Sequence, residues 1–331
     1  MKFNDTIGID ISKKWIDVCI HSTQMHEVFE NSNKGIKKMI KWALKNSAYP
    51  KVQLLFIFEH TGLYSELITE LLSQQDIHYT VVSGLEIKRS LGLVRGKDDK
   101  ADAIKIALYG YRLRDEITPS QADSSSIKSI KKLLSLRERL VKQRAGYKAS
   151  LKEQKRVLKH KQDKILLNIQ AKTILFLTKQ ISLIEKELQG IINENQNLKE
   201  IFTLITSIKG VGKQTALFLI AYTAGFTKFK NARKFASYCG IAPFPNQSGT
   251  SIRGKTKVSN LANKKIKSLL DMCAKTAIQS NMEMKFFYQR KVDQGKNKMT
   301  VINIVRNKLL ARIFAVVKRQ TPYVNVKKYA A

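Results

Sequence analysis

The sequence predicts an α/β domain over residues 1–118 followed by an all-α remainder, and three observations predict it. β-rich runs alternate with helix-periodic segments in the first third of the chain. Two series of leucine and isoleucine then recur at steps of three, four or seven, the spacing of a narrow helical seam. The last third carries helical patterns around one loop rich in Pro, Gly, Ser and Asn.

The runs TIGIDI (6–11) and WIDVCI (15–20) flank Ser12-Lys13-Lys14 and read as a hairpin. Ile36, Met39, Ile40, Ala43 and Leu44 fall on one face of a helix over 35–46. The continuous apolar stretch VQLLFIF (52–58) has the length of a strand buried on both faces. A helix over 64–75, a strand over 79–82 and a helix over 101–113 complete the domain. Thr118 to Ser126 (TPSQADSSS) reads as a linker. Residues 119–206 then form linker and coiled coil, with Leu133, Leu136, Leu140, Tyr147, Leu151 and Leu158 in one series. Leu177, Ile181, Ile184, Leu188, Ile191, Leu198 and Phe202 make the other. Gln162 to Lys172 breaks the register, which favours an antiparallel helical hairpin over a single long dimerising helix. Residues 207–331 form a helical domain with helices at 264–280 and 300–319 and a loop from Pro243 to Asn263.

Charge dominates the composition of this 331-residue chain. Sixty Lys and Arg stand against 26 Asp and Glu, a formal +34 that repels itself unless a polyanion neutralises it. Nucleic acid is the usual polyanion, with a ribosomal or membrane-surface role as the alternative. A hydrophobic content of 43% is enough to bury real cores, which argues against a disordered chain. Cys19, Cys239 and Cys273 are isolated, so neither a disulfide scaffold nor a structural zinc site is expected. The opening MKFNDTIGIDISKK lacks an apolar signal core, and the longest apolar stretch, Ala216 to Ala224, is too short for a bilayer. A soluble, cytoplasmic protein without membrane partners is the expectation.

Four acids of the first domain stand out. Asp10 lies between Ile9 and Ile11 in a core strand, where an unpaired carboxylate costs several kcal/mol. Glu59 ends an apolar strand, at the edge where open α/β sheets present ligands. Asp99 and Asp102 are three apart at a helix start and share a face. Gathered together they make a hard oxygen site for Mg²⁺ or Mn²⁺, able to support phosphoryl transfer. Taken singly, Asp99 reads as a cap, Asp102 as a partner for a lysine and Glu59 as an exposed strand end.

Two further segments suit phosphate. In SIKGVGKQTA (207–216), Gly210 and Gly212 permit a tight turn, and Lys213 opens a helix whose free N–H groups can donate to a phosphate; an ordinary glycine turn between packed helices reads equally well. In PFPNQSGTSIRGKTK (243–257), Ser248 sits in a loop with Arg253, Lys255 and Lys257, cations suited to a phosphate's non-bridging oxygens. By spacing alone, Ser248-Gly249 reads first as a turn.

IGIDISKKWIDV (7–18), FEHTGLY (58–64), GKDDKADA (96–103), SIKGVGKQTA, FASYCGIAPFPNQSG (235–249) and SIRG (251–254) together resemble one family, the insertion-sequence transposases numbered one hundred and ten, which are related to the Piv and MooV DNA invertases. The resemblance implies a RuvC-like, RNase H-fold domain bearing a DEDD metal tetrad, a coiled coil, and a C-terminal transposase domain with a helix-hairpin-helix element. It puts the tetrad on Asp10, Glu59, Asp99 and Asp102 and a nucleophilic serine on Ser248. It also implies a composite site often completed across subunits of a dimer or tetramer, a phosphoserine link to DNA, and in many members a structured guide RNA. His60 departs from the usual alanine. Asp98 stands where a threonine is common and competes with Asp99, which alone keeps the three-residue step to Asp102. A RuvC-like nuclease using water, or a non-catalytic nucleic-acid-binding scaffold, are the competing functions.

Overall fold

The computed structural model describes residues 3–90, 98–158, 160–248 and 252–324, apart from the side chains of Lys161, Ser248, Ile252, Arg253 and Lys255. The chain divides into two units between Ala122 and Asp123.

The first unit is a five-stranded mixed sheet flanked by helices. β1 (Asp5–Ile11), β2 (Trp15–Ile20) and β3 (His26–Glu30) form an antiparallel meander. The chain then passes through α1 (Asn33–Asn46) to β4 (Leu54–Glu59), which pairs parallel to β1, and through α2 (Glu66–Gln74) to β5 (Tyr79–Val82), parallel to β4. The resulting order is β3-β2-β1-β4-β5. α3 (Gly84–Ser90) and α4 (Asp99–Leu113) follow. Alternation along the strands sorts the two faces. Ile7, Ile9, Ile16, Val18, Phe56 and Phe58 pack with Ile36, Met39 and Ile40 of α1 and with Ile68 and Leu72 of α2. On the opposite face Leu55 and Ile57 meet Ile106 and Tyr109 of α4, and Cys19 meets Ala103 and Ala107.

The position of α4 is set by small residues. A Cβ on Gly8 would stand 2.2 Å from the Ala107 nitrogen and 2.3 Å from the Ala103 carbonyl oxygen, so only glycine lets the helix backbone rest on β1. Gly110, further along, leaves room for Ile57, whose Cδ1 would be 1.9 Å from an added Cβ. Thr6 Oγ1 donates to the Ala107 carbonyl at 2.8 Å. α4 thus runs against β1, with its first turn toward the strand's carboxyl end.

The second unit is helical apart from one hairpin. α5 (Ser125–Val157) and α6 (Lys164–Glu194) pair antiparallel: Arg137 meets Glu185 at 2.6 Å and Arg144 meets Thr178 at 3.3 Å, with Gln154 meeting Gln170 further along. α7 (Gln196–Thr206), α8 (Lys213–Thr223), α9 (Ala232–Tyr238), α10 (Lys264–Ser280), α11 (Met282–Asp293) and α12 (Lys298–Arg319) share one core with the base of that hairpin. Between α9 and α10, β6 (Pro243–Ser248) pairs antiparallel with β7 (Ile252–Val258). The centre of the helical core is Leu219, Ile220, Phe235, Leu270, Val305 and Ile313, all within 1% of complete burial.

Several expectations change. The strand expected from residue 52 begins at Leu54, because Pro50 starts a 3-10 turn over Lys51–Gln53. The break expected over 162–172 is shorter, since α6 is already helical at Lys164. The α5 seam rotates: Ile127, Ile130 and Leu134 are buried, whereas Leu136 and Tyr147 are 37% and 42% exposed, because the base of the hairpin packs into the helical core. Ile192 rather than Ile191 lies at full burial in α6. The loop expected from Pro243 contains a β-hairpin.

Candidate functional site

Asp10 is the penultimate residue of β1 and is half-buried. Across the antiparallel pairing it faces Asp17 of β2. On the parallel side Ile9 is in register with Phe58, which brings Glu59, the last residue of β4, to the same sheet edge. The Glu59 carboxylate lies over Gly84; a Cβ there would come within 2.1 Å of its Oε1, so this glycine keeps the space that the acid fills.

The Asp10 carboxyl is pushed up from 3.8 to about 6. Burial is the main cause, followed by the negative charges of Asp99 and Asp102 and, more weakly, of Asp17; a backbone hydrogen bond from Ile11 opposes them. The first turn of α4, seated on β1 where Gly8 meets Ala103 and Ala107, thus brings its two acids within electrostatic reach of Asp10. Asp98 is the extended residue that precedes the helix (φ −151°), its side chain makes no cap, and it is not among the charges that raise Asp10. Asp99 is exposed, and Asp102 Oδ1 accepts from Lys105 Nζ at 2.7 Å. Asp17 is held by His26, 2.9 Å from Nε2 to Oδ1.

As placed, no three His, Cys, Asp or Glu side chains among the described residues stand close enough together to chelate an ion. The donor set nonetheless fits a hard divalent cation. Its oxygens are carboxylates, and their mutual repulsion, visible at Asp10, is relieved by added positive charge. Asp17 and His26 were missed in the sequence. The signal was the short Ser12–Lys14 connection, which sets the register that puts residue 17 opposite residue 10.

In the second unit Gly210 adopts φ +98°, and a Cβ on it would lie 2.8 Å from that of Ala277. Gly212 is the extended cap of α8 and offers no side chain to its N–H groups, and Lys213 opens the helix, exposed. Helix, glycine turn and helix thus follow as expected. Ser248 ends β6, its backbone in register with Ile252, and Arg253 is opposite Gln247. The side chains of Ser248, Arg253 and Lys255 lie outside the described residues. Lys257 is exposed and stands opposite Phe244. All three cysteines are free and buried, and no described helix is long and apolar enough to cross a membrane.

An acid-lined sheet edge in one unit and a basic glycine turn in the other suit an enzyme acting on a phosphodiester, and comparison with known proteins gives the class: a DNA transposase or recombinase. Two family models of the IS110 transposases match separate parts of the chain. The model of the DEDD transposases of that group matches residues 7–159, and the model described as the transposase IS116/IS110/IS902 family matches residues 202–289. The pilin gene-inverting protein of Moraxella bovis is 29% identical over 327 residues, covering 96% of this chain and 97% of that protein. Its Moraxella lacunata counterpart matches to the same extent. An uncharacterized 43.6 kDa protein of insertion element IS110 from Streptomyces coelicolor is 27% identical over 138 residues, 42% of this chain and 34% of that protein.

Proposed function

We propose that this recombinase cuts and rejoins DNA with a divalent cation, Mg²⁺ or Mn²⁺, held by Asp10, Glu59, Asp99 and Asp102, and with Ser248 as nucleophile. The observation that carries the reading is the raised Asp10 carboxyl, which meets the charges of two acids from a distant helix at the edge where Glu59 ends its strand. The order β3-β2-β1-β4-β5, with three antiparallel strands followed by two parallel ones, supports a RuvC-like RNase H fold for residues 1–118. Residues 119–206 are then linker and coiled coil, and residues 207–331 the transposase domain. Gly210, Gly212 and Lys213 serve there as a helix-hairpin-helix phosphate contact, with Arg253, Lys255 and Lys257 as further cations.

A cation bound among carboxylates lowers the cost of negative charge on attacking and leaving oxygens. The chain's own residues do the rest. The four acids would hold the cation, and the basic residues hold the phosphate's non-bridging oxygens. Serine Oγ forms a bond to phosphorus as a P–O bond of the strand breaks, and the serine proton ends on the freed deoxyribose oxygen. The reverse exchange rejoins the strand. By analogy with the Moraxella relatives, inversion or insertion of a DNA segment is the outcome.

A structured guide RNA as partner is supported by the +34 formal charge. Assembly into a dimer or tetramer is supported by apolar residues left on α6, where Ile165, Leu175 and Phe176 are 60–70% exposed. A cytoplasmic, prokaryotic setting accords with these partners.

The test is a covalent trap. Purified protein with element-end DNA, RNA from the element's flank and Mg²⁺ is expected to yield a denaturant-stable protein–DNA adduct. Ser248→Ala and Asp10→Asn each remove it. If Ser248→Ala still cleaves DNA while Asp10→Asn does not, water is the nucleophile and the serine assignment is wrong.

A further inference from the structure

The helical unit contains a cavity of about 700 Å³ that the reading above leaves unused. The start of α9, the start of β6 and the middle of α12 line it. Its walls are apolar, chiefly Ala236, Ala242, Pro243 and Leu310, and the last is 1% exposed. Three uncharged polar side chains, Asn231, Ser237 and Asn307, interrupt them. Asn307 is oriented: its Nδ2 donates to the carbonyls of Ile241 at 3.0 Å and of Asn303 at 2.9 Å. Its amide oxygen takes no donor among the described residues.

Phe244 belongs to the same lining, yet it is 46% exposed, a large aromatic surface left to solvent. Cations surround it. Arg233 and Lys234 line the cavity and are exposed, neither in an ion pair among the described residues, and Lys257 stands directly opposite Phe244 across the hairpin. Phe244 is also on the strand that ends at Ser248.

We propose that this cavity receives one unstacked nucleobase of a single strand, with Phe244 stacking on the base and Arg233, Lys234 and Lys257 holding the flanking phosphates. The charge selects the occupant. A neutral apolar ligand or a greasy peptide would fill the walls but has no use for three cations, whereas a nucleotide has an apolar face, a polar edge and an anionic backbone. The volume lies within the range of ordinary small-ligand sites, about 300–1,000 Å³, enough for a base with its sugar. The inference rests on the nucleic-acid reading but needs neither the cation nor the covalent step. The strand is DNA or RNA, and the experiment separates the two.

Fluorescence anisotropy, in the absence of divalent cations, compares labelled oligomers of about 12 nucleotides, in deoxy and ribo forms, with strands of the same length made abasic throughout. Phe244→Ala removes the stacking surface, and Ala311→Trp fills the cavity from an exposed position on α12. Each is expected to weaken the base-bearing strand by about 10-fold, in whichever sugar form binds, and to leave the abasic strand unchanged. Unaltered affinity for both base-bearing forms overturns the proposal. So does an equal loss on base-bearing and abasic strands, which assigns the residues to backbone contact or to the fold. Either failure leaves the covalent-adduct result standing.

Discussion

Asp10 in the α/β unit and Asp271 in the helical unit are both partly buried acids, and they live in opposite fields. Asp10 has carboxylates for neighbours, and its own carboxyl is pushed up to about 6. Asp271, on α10, also pays for burial, but hydrogen bonds from Lys275 and Arg306 outweigh it and hold the carboxyl below its usual range. Lys275 is 2.9 Å away, and Arg306, 7% exposed on α12, closes the pair from the other side. In a chain with more than twice as many basic as acidic residues, a carboxylate that ends up among acids has been denied the available partners. The difference separates an acid that holds the fold together from one whose charge its neighbours oppose.

The largest expected effect comes from moving the acids apart. Gly8→Ala forces a Cβ into the backbone of α4 at Ala103 and Ala107, where nothing flexible can yield. It is expected to cost about 3 kcal/mol in a denaturant melt and to abolish strand exchange, since Asp99 and Asp102 ride on that helix. A near-native melt would mean that α4 is not held against β1 as described.

Next comes the paired acid. Asp271→Asn leaves Arg306 buried without its counter-charge and is expected to destabilise the protein by about 2 kcal/mol. An unchanged melting temperature would reduce the pair to a surface contact.

The smallest effect carries the sharpest contrast, because its sign is reversed. Asp10→Asn removes a charge that the fold repels, so the cation-free variant is expected to be more stable than the parent by about 1 kcal/mol near neutral pH. The pH dependence follows. With its carboxyl raised in the folded state, Asp10 contributes stability that is full below about 4 and lost as pH rises through about 6. Asp271, held low, contributes stability present above the ordinary carboxylate range and lost as pH falls through it. Thermal melts of the two asparagine variants across this range should diverge from the parent in opposite directions. Parallel shifts would erase the distinction.

The sequence made the acids of the sheet edge legible because they interrupt or terminate apolar runs: Asp10 sits inside GIDI, and Glu59 closes LLFIF. The hairpin, β5 and α10 were also readable, their patterns being unbroken. β3 was not. HEVFE is an edge strand with both glutamates exposed, so it shows little alternation, and its place is fixed by pairing with β2. α11 buries only Met284 and so offers no periodic face. PFPNQS reads as a loop because of its two prolines, which a two-stranded ribbon tolerates since each strand has a free edge. Asp17 required the register, and no single-strand pattern carries that.

The most direct test of the proposed cation site is calorimetric titration of the protein with Mn²⁺. Near neutral pH the parent is expected to bind, Asp10→Asn to lose at least about 10-fold in affinity, and the parent itself to weaken by about pH 5 as Asp10 takes up its proton. Binding that is indifferent both to Asp10→Asn and to pH would contradict the account, because the carboxyl crowded by Asp99 and Asp102 would then play no part in holding the ion.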